Sequence, residues 1–381
     1  MINKIEIVKE LLHDFSQVNS KTVKNETNWI EIDYDRNPLN PNLLSYCFDV
    51  VLGFNVKYRI FEKINYIIEF DYKGTYGMVG HYKLSYRFSI EKQYKDEIIK
   101  LFNKIKPLLS HAFLEMGEEA LEKNEFTMVN EYGYYLTKFS FYQEHIELLE
   151  KRRGIISDRC KGQWITEEVG KGCTSMLPKC QDYLWNLSNE ILYSMEAYVD
   201  VFFSSVEHLL TLLYPFLDNF DHSKSYSKNY IHNPKWTWDK KIQQVCGGNM
   251  NAYMEPLRRI KEVYRNRNAH GMFSRELKVY VGIPKFGRYP MYIGKQYLRG
   301  FLEDNDVELT YEKFHSMKKL FNDFFNDLDS AFEIPMLFIK SGLPVPIDTD
   351  LYMSEVNTSE EANLRIERLG YEIDNQSNMD W

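Results

Sequence analysis

The chain has 381 residues, of which 44% are hydrophobic and 27% charged, and its formal net charge is −8. This length suits two folded domains rather than one compact core. The acidic balance counts against an extended DNA-binding surface, so that any contact with nucleic acid must come from a local basic patch.

Residues 1–155 are predicted to form a mixed α/β domain, which we interpret as an accessory or sensor domain. The glycines of KGTYGMVG suit a hairpin turn between two strands. A phosphate-binding loop is the alternative, but no GK[ST] follows and no helix opens directly after it. We expect helices over 2–17, 94–121 and 144–154, and strands over 65–72, 80–92 and 126–141.

Five sparse cysteines without a CxxC pair predict reduced thiols in a cytoplasmic protein. Cys160, Cys173 and Cys180 lie in or beside a predicted linker, 156–181, without the close pair of ligands that zinc sites usually have. The histidines form no HxH or HExxH pattern, so that a metal hydrolase is not expected. No apolar run approaches the roughly 18 uncharged residues of a membrane helix, and the N-terminus does not resemble a signal peptide. We therefore expect no metal, no cofactor and no membrane partner.

Residues 182–345 are predicted to form a helical domain. Apolar residues recur at steps of three and four over 182–217, which is the pattern of a bundle helix. A β-hairpin is expected over 278–294, and the polar, acidic tail 346–381 is expected to be partly disordered. Further helices are predicted from Asp239 to the glycine pair at 247–248, over 250–270 and over 310–332.

The sequence LRRIKEVYRNRNAHG ends the predicted helix 250–270 and holds Arg265, Asn266 and His270. Asn266 and His270 are about one turn apart and share a face. Arg265 can join them if its side chain wraps or if a second copy of the helix meets the first. Gly271 suits a helix C-cap, which places His270 in the last turn, where the helix dipole favours imidazolium.

Together, an arginine, a histidine and an amide can neutralise a phosphate and move a proton, but they supply no nucleophile. RNA brings its own nucleophile, the 2′-hydroxyl, beside its own phosphate. The stretch 254–278 has seven basic residues against three acidic ones, although the chain is acidic overall. The ordinary alternative is a solvated helix end with capping residues. Within this stretch, further phosphate contacts are expected from Arg258, Arg259, Lys261 and Arg267.

The motif RNRNAH at 265–270 resembles that of the HEPN superfamily, in which arginine and a polar residue precede histidine on a bundle helix. Upstream, FFSSVEHLLTLLYPF resembles the first long HEPN helix, and Glu207 matches its polar residue facing the active site. The resemblance covers about 182–335. It implies a helical bundle of four to five helices, and a metal-independent endoribonuclease that leaves 2′,3′-cyclic phosphate and 5′-hydroxyl ends.

The resemblance also implies a homodimer with a composite cleft, in which Arg265, Asn266, His270 and Glu207 are the catalytic residues. A toxin-like or anti-phage defence effector is the implied setting, with an antitoxin or nucleotidyltransferase as a possible partner. A non-catalytic HEPN-like module that binds RNA or protein is the alternative, and a DNA-binding regulator is remote. Trp236 and Trp238 are candidates to stack on bases, or else to anchor a loop.

Overall fold

The computed structural model describes residues 2–19, 21–22, 29–32, 39–58, 64–82, 86–168, 174–265, 276–284, 287–294, 298–300 and 309–377. The chain forms two compact units. The first comprises Met1–Phe126, His222–Ser227 and Glu367–Trp381, and the second comprises Thr127–Asp221 and Lys228–Ile366. A mixed α/β region thus precedes a mainly helical one. None of the described helices is long and apolar enough to cross a membrane.

The first unit is built around an antiparallel sheet. Its strands are β1 (Phe15–Ser16), β2 (Trp29–Ile32), β3 (Lys57–Tyr58), β4 (Ile64–Tyr72), β5 (Thr75–Tyr82) and β6 (Tyr86–Glu91). The strand order is β1-β4-β5-β6-β2, and β3 pairs with β4. Tyr66, Ile68 and Phe70 of β4 are buried because alternate side chains of a strand share one face. The sheet therefore has one face committed to the core.

The helices of the first unit complete that core. They are α1 (Ile2–Leu11), α2 (Pro41–Tyr46), which continues as a π-helical turn at Cys47–Val51, and α3 (Lys95–Glu122). The ring of Phe15 lies 5.5 Å from that of Phe48, and the ring of Phe88 lies 5.4 Å from that of Phe102. Aromatic side chains from strands and helices thus fill one hydrophobic cluster.

The hairpin between β4 and β5 is tighter than we predicted. Its turn consists of Lys73 and Gly74, both with positive φ (54° and 83°), and the Gly74 N–H donates to Asp71 Oδ1 at 2.7 Å. The rest of KGTYGMVG belongs to β5, where Gly77 lies directly opposite Phe70. A Cβ atom at position 77 would overlap the Phe70 ring, so this glycine serves close packing and not the turn.

The second unit is dominated by helices. They are α4 (Tyr132–Cys160), α5 (Gln181–Leu213), α6 (Trp238–Cys246), α7 (Asn251–Ile260), α8 (Tyr311–Ala331), α9 (Glu333–Lys340) and α10 (Asp350–Met353). The last helix, α11 (Ser359–Ser377), begins in the second unit and its residues from Glu367 onward belong to the first. The short strands of the second unit are β7 (Thr127–Met128), β8 (Trp164–Glu168), β9 (Thr174–Pro178), β10 (Glu276–Ile283), β11 (Gly287–Gly294), β12 (Leu298–Gly300) and β13 (Val345–Pro346). The predictions of a long helix over 182–217 and of a hairpin over 278–294 are confirmed.

The core of the second unit lies where α4, α5 and α8 meet. The rings of Phe202 and Phe321 stack in parallel at 3.6 Å between centroids, and both side chains are fully buried. Tyr198 of α5 stacks on Phe139 of α4 at 4.2 Å. The apolar stripe that predicted α5 from the sequence is therefore the surface on which its neighbours pack.

Several predictions of secondary structure need correction. The expected strand at 126–141 is wrong, because most of it lies in α4, which also contains the helix expected at 144–154; its buried residues Tyr132, Phe139 and Ile146 recur every seven positions. Aromatic composition had favoured a strand, but the spacing is helical. The helix expected over 2–17 ends at Leu11 and is followed by β1, and the strand expected over 80–92 falls partly in β5 and partly in β6. The expected linker 156–181 contains the end of α4 and the hairpin β8–β9. The acidic tail, expected to be partly disordered, forms α11 over much of its length.

The cysteine prediction also needs correction, because Cys160 and Cys180 form a disulfide, with their Cα atoms 6.4 Å apart. The hairpin β8–β9 returns the chain on itself and so brings the end of α4 beside the start of α5. A separation of 20 residues conceals this proximity in the sequence. Cys47 and Cys246 are buried free thiols. Cys173 lies outside the described residues.

His208 of α5 ties this helix to the start of α4. Its Nε2 accepts the backbone N–H of Glu131 at 3.0 Å, and burial lowers the pKa of the imidazole from its ordinary value of 6.5. The neutral ring is therefore the form that the fold favours. Its contribution to stability is complete above the unfolded-state pKa near 6.5 and is lost as the pH falls through the lower folded-state pKa.

We expect His208→Ala to lower the free energy of unfolding by about 0.5–1.5 kcal/mol at pH 7.5, the usual net contribution of one hydrogen bond, because the Glu131 N–H loses its acceptor. The difference from the wild type should shrink as the pH is lowered from 7.5 to 5. Urea unfolding across this range measures it, with the exposed His232→Ala as the control. A difference between wild type and His208→Ala that does not change with pH would contradict the role of the neutral imidazole.

Candidate functional site

The site is formed by one face of α5 and the chain segment that follows α7. Asp200, Phe203 and Glu207 are spaced by three and then four residues on α5, which puts them on one side of the helix. The α-helical pattern of α7 ends at Ile260 and continues as a π-helical turn, Lys261–Arg265. The sequence predicts an unbroken helix over 250–270, of which the residues after Arg265 lie outside the described part of the chain. Widened turns of this kind are frequent at functional sites.

Glu207 receives two cations from this π-helical turn. Arg265 donates from Nη1 to Glu207 Oε1 at 3.1 Å and from Nη2 to Oε2 at 3.4 Å, in a two-pronged pair. Lys261 donates from Nζ to Glu207 Oε1 at 3.5 Å. Residues four apart on a helical turn face the same way, so a single carboxylate can bridge both cations.

Lys261 is held in a partly apolar setting, with its side chain 17% exposed. Its ammonium lies 4.8 Å from the centre of the Trp238 ring, which attracts the cation through the π face. Burial lowers the pKa of Lys261, and the Arg265 guanidinium adds to this effect, whereas Glu207 opposes it. Asp239 also opposes the lowering, so the ammonium is held between burial and two carboxylates.

Asp200 supplies a second acidic group near Arg265. It is half-buried on α5, two helical turns before Glu207. Burial raises the pKa of Asp200, and the positive charge of Arg265 partly offsets that effect. The guanidinium carbon of Arg265 also lies 5.9 Å from the centre of the Phe203 ring. Arg265 therefore lies among a carboxylate pair and an aromatic face that restrict its position.

The other basic candidates have different environments. Arg258 donates to Asp239 at 3.1 Å and to Glu255 at 3.0 Å, so its charge is already balanced by two carboxylates. Arg259 is exposed to solvent. Asn266, Arg267 and His270 lie outside the described residues. Of the predicted site residues that are described, Glu207, Lys261 and Arg265 come together.

The sequence reasoning missed Asp200 and Phe203. Their spacing from Glu207, by seven and four residues, was the available signal, because it places them on the same helix face. Trp238 was considered as a base-stacking residue, but it is 5% exposed and packs edge-on against Phe203 at 5.3 Å. Trp236 lies 5.2 Å from Tyr230, between ring centres. Trp238 is therefore a buried residue that packs against Phe203 and lies under the Lys261 ammonium.

Within the described part of the chain, no three histidine, cysteine or acidic side chains lie close enough to hold a metal ion. Comparisons of the sequence with protein-family models and curated proteins, and of the structure with solved structures, find no match.

Proposed function

We propose that this chain is a metal-independent endoribonuclease with an HEPN-like helical bundle, acting in a toxin-like or anti-phage defence role. The observation that carries the proposal is the convergence of Arg265 and Lys261 on Glu207. Without RNA, the Glu207 carboxylate accepts hydrogen bonds from Arg265 and Lys261. A phosphodiester could accept the same hydrogen bonds, since a carboxylate and a phosphodiester each present two anionic oxygens. Bound RNA would displace Glu207 from these cations.

The reaction follows from what each group can do. The 2′-hydroxyl of RNA attacks the adjacent phosphorus, its proton passes to a base, and the 5′-oxygen leaves with a proton from an acid. Arg265 and Lys261 stabilise the charge that develops on the phosphorane oxygens. We assign proton transfer to His270, and orientation of the phosphate or 2′-hydroxyl to Asn266 and to the displaced Glu207.

Further phosphate contacts would come from Arg258, Arg259 and Arg267 of the basic stretch, although Arg258 would first have to leave Asp239 and Glu255. A two-fold dimer would bring two such sites to one cleft. An antitoxin or a nucleotidyltransferase partner would then control the activity.

The test is the cleavage of labelled RNA by the purified chain in EDTA. We expect cleavage to persist in the chelator and to leave 2′,3′-cyclic phosphate and 5′-hydroxyl ends. A matched oligonucleotide with deoxyribose throughout should stay intact. His270→Ala should lower the rate by about 10²–10⁴-fold, the usual contribution of a general acid or base.

Loss of cleavage in EDTA, or cutting of the all-deoxy strand, would be incompatible with attack by the 2′-hydroxyl. The engagement of Arg265 by Glu207 also suits a non-catalytic RNA-binding module. That second candidate predicts RNA binding by the wild-type chain without cleavage under any of these conditions.

A further inference from the structure

Helix α4 carries a stripe of large apolar side chains on the face that is turned away from its buried side. Tyr134, Phe141, Leu148 and Ile155 are 56%, 58%, 63% and 45% exposed. The opposite side, with Tyr132, Phe139, Ile146 and Leu149, is buried. The helix is thus apolar on two faces, of which only one is used in the packing of the second unit.

The spacing of the four residues indicates what kind of structure would pack on this stripe. The four residues recur every seven positions, over a length of about 32 Å at 1.5 Å per residue. This is one apolar residue per seven, half the density of a coiled-coil seam, but it places the four side chains in one line along the helix. A long helix is therefore the shape that fits the stripe.

The charges beside the stripe are arranged to match a reversed copy of themselves. The exposed Glu144 lies four residues before Leu148, and the exposed Arg152 lies four residues after it. When two copies of α4 pair antiparallel with Leu148 at the centre, Glu144 of each copy faces Arg152 of the other. Phe141 of each copy then faces Ile155 of the other. Such self-complementarity is what a two-fold interface requires.

We propose that α4 is a self-association surface, on which a second copy of this chain docks with its own α4 in antiparallel orientation about a two-fold axis at Leu148. This surface lies outside residues 182–335 and uses none of Glu207, Lys261 and Arg265. It is separate from the composite cleft proposed above, so a chain that uses both contacts would assemble beyond the dimer, and it does not depend on ribonuclease activity.

The test measures the dimer dissociation constant of the full chain by sedimentation velocity over a wide range of concentration. Leu148→Glu should raise Kd by about 30-fold or more, because each dimer would bury two carboxylates at the centre of its seam. Leu364→Glu is the matched control, since Leu364 is a leucine of similar exposure (67%) on α11, and it should leave Kd unchanged. Circular dichroism checks that both variants are folded.

Charge reversal gives a second, independent readout. Glu144→Arg and Arg152→Glu should each weaken the dimer, and the double variant should recover most of the wild-type Kd because the pair is restored with opposite polarity. A monomeric wild type at the highest concentration would overturn the proposal and leave the stripe to a different protein. Self-association that Leu148→Glu leaves unchanged in both stoichiometry and Kd would also overturn it, because every contact between copies would then use another face.

Discussion

Replacing Arg265 with alanine is expected to lower the rate of RNA cleavage by about 10²–10³-fold, the usual loss when one donor to the developing anion is removed. The guanidinium reaches both oxygens of Glu207, and this forked geometry is what a phosphodiester would use in place of the carboxylate. Arg265→Lys should recover only part of the loss, because an ammonium provides charge but not the planar fork.

The measurement is a single-turnover rate on labelled RNA with saturating enzyme. Arg368→Ala is the matched control, since Arg368 also pairs with a glutamate, Glu372 at 3.1 Å, but on an exposed helix surface. Its rate should equal that of the wild type. Thermal unfolding of each variant separates loss of chemistry from loss of fold. A folded Arg265→Ala variant that cleaves at the wild-type rate would remove Arg265 from the mechanism.

The second large effect is expected in the core. Phe202→Ala or Phe321→Ala should each lower the free energy of unfolding by about 3–5 kcal/mol, since each removes a fully buried ring and leaves a cavity. The two rings stack on each other at 3.6 Å, so that the loss in the double variant should be smaller than the sum of the single losses.

Denaturant unfolding measures these losses, and Tyr193→Ala provides the control on α5. Tyr193 is an aromatic residue of the same helix that is 64% exposed, and its removal should change stability by less than about 0.5 kcal/mol. Similar losses for Tyr193→Ala and Phe202→Ala would mean that α5 is packed differently from the arrangement described above.

Features encoded by short-range pattern could be predicted from the sequence. The stripe of α5 and the hairpin β10–β11 carry their own periodicity. The sequence also predicts Glu207 as a site residue together with Arg265, and the two side chains pair in the structure. Helix α4 was partly misread as a strand because its tyrosines and phenylalanines are favoured in both structures. The seven-residue spacing of its buried residues indicates a helix.

Features that depend on long-range approach could not be predicted in the same way. The Cys160–Cys180 bond requires the β8–β9 hairpin to reverse the chain. The π-helical turn at Lys261–Arg265 and the half-buried Asp200 acquire their meaning only when α5 and the end of α7 are adjacent. These features depend on packing between segments that are distant in the sequence, and a local sequence pattern carries no information about that packing.

The covalent link between Cys160 and Cys180 makes the chain between them a closed ring. The disulfide joins the end of α4 directly to the start of α5, so a force that pulls the two helices apart acts on this bond and not on the hydrogen bonds between β8 and β9. The two helix ends are therefore held together even when the β8–β9 hairpin opens. We expect this end of the helix pair to tolerate insertions in the hairpin while the helices keep their alignment.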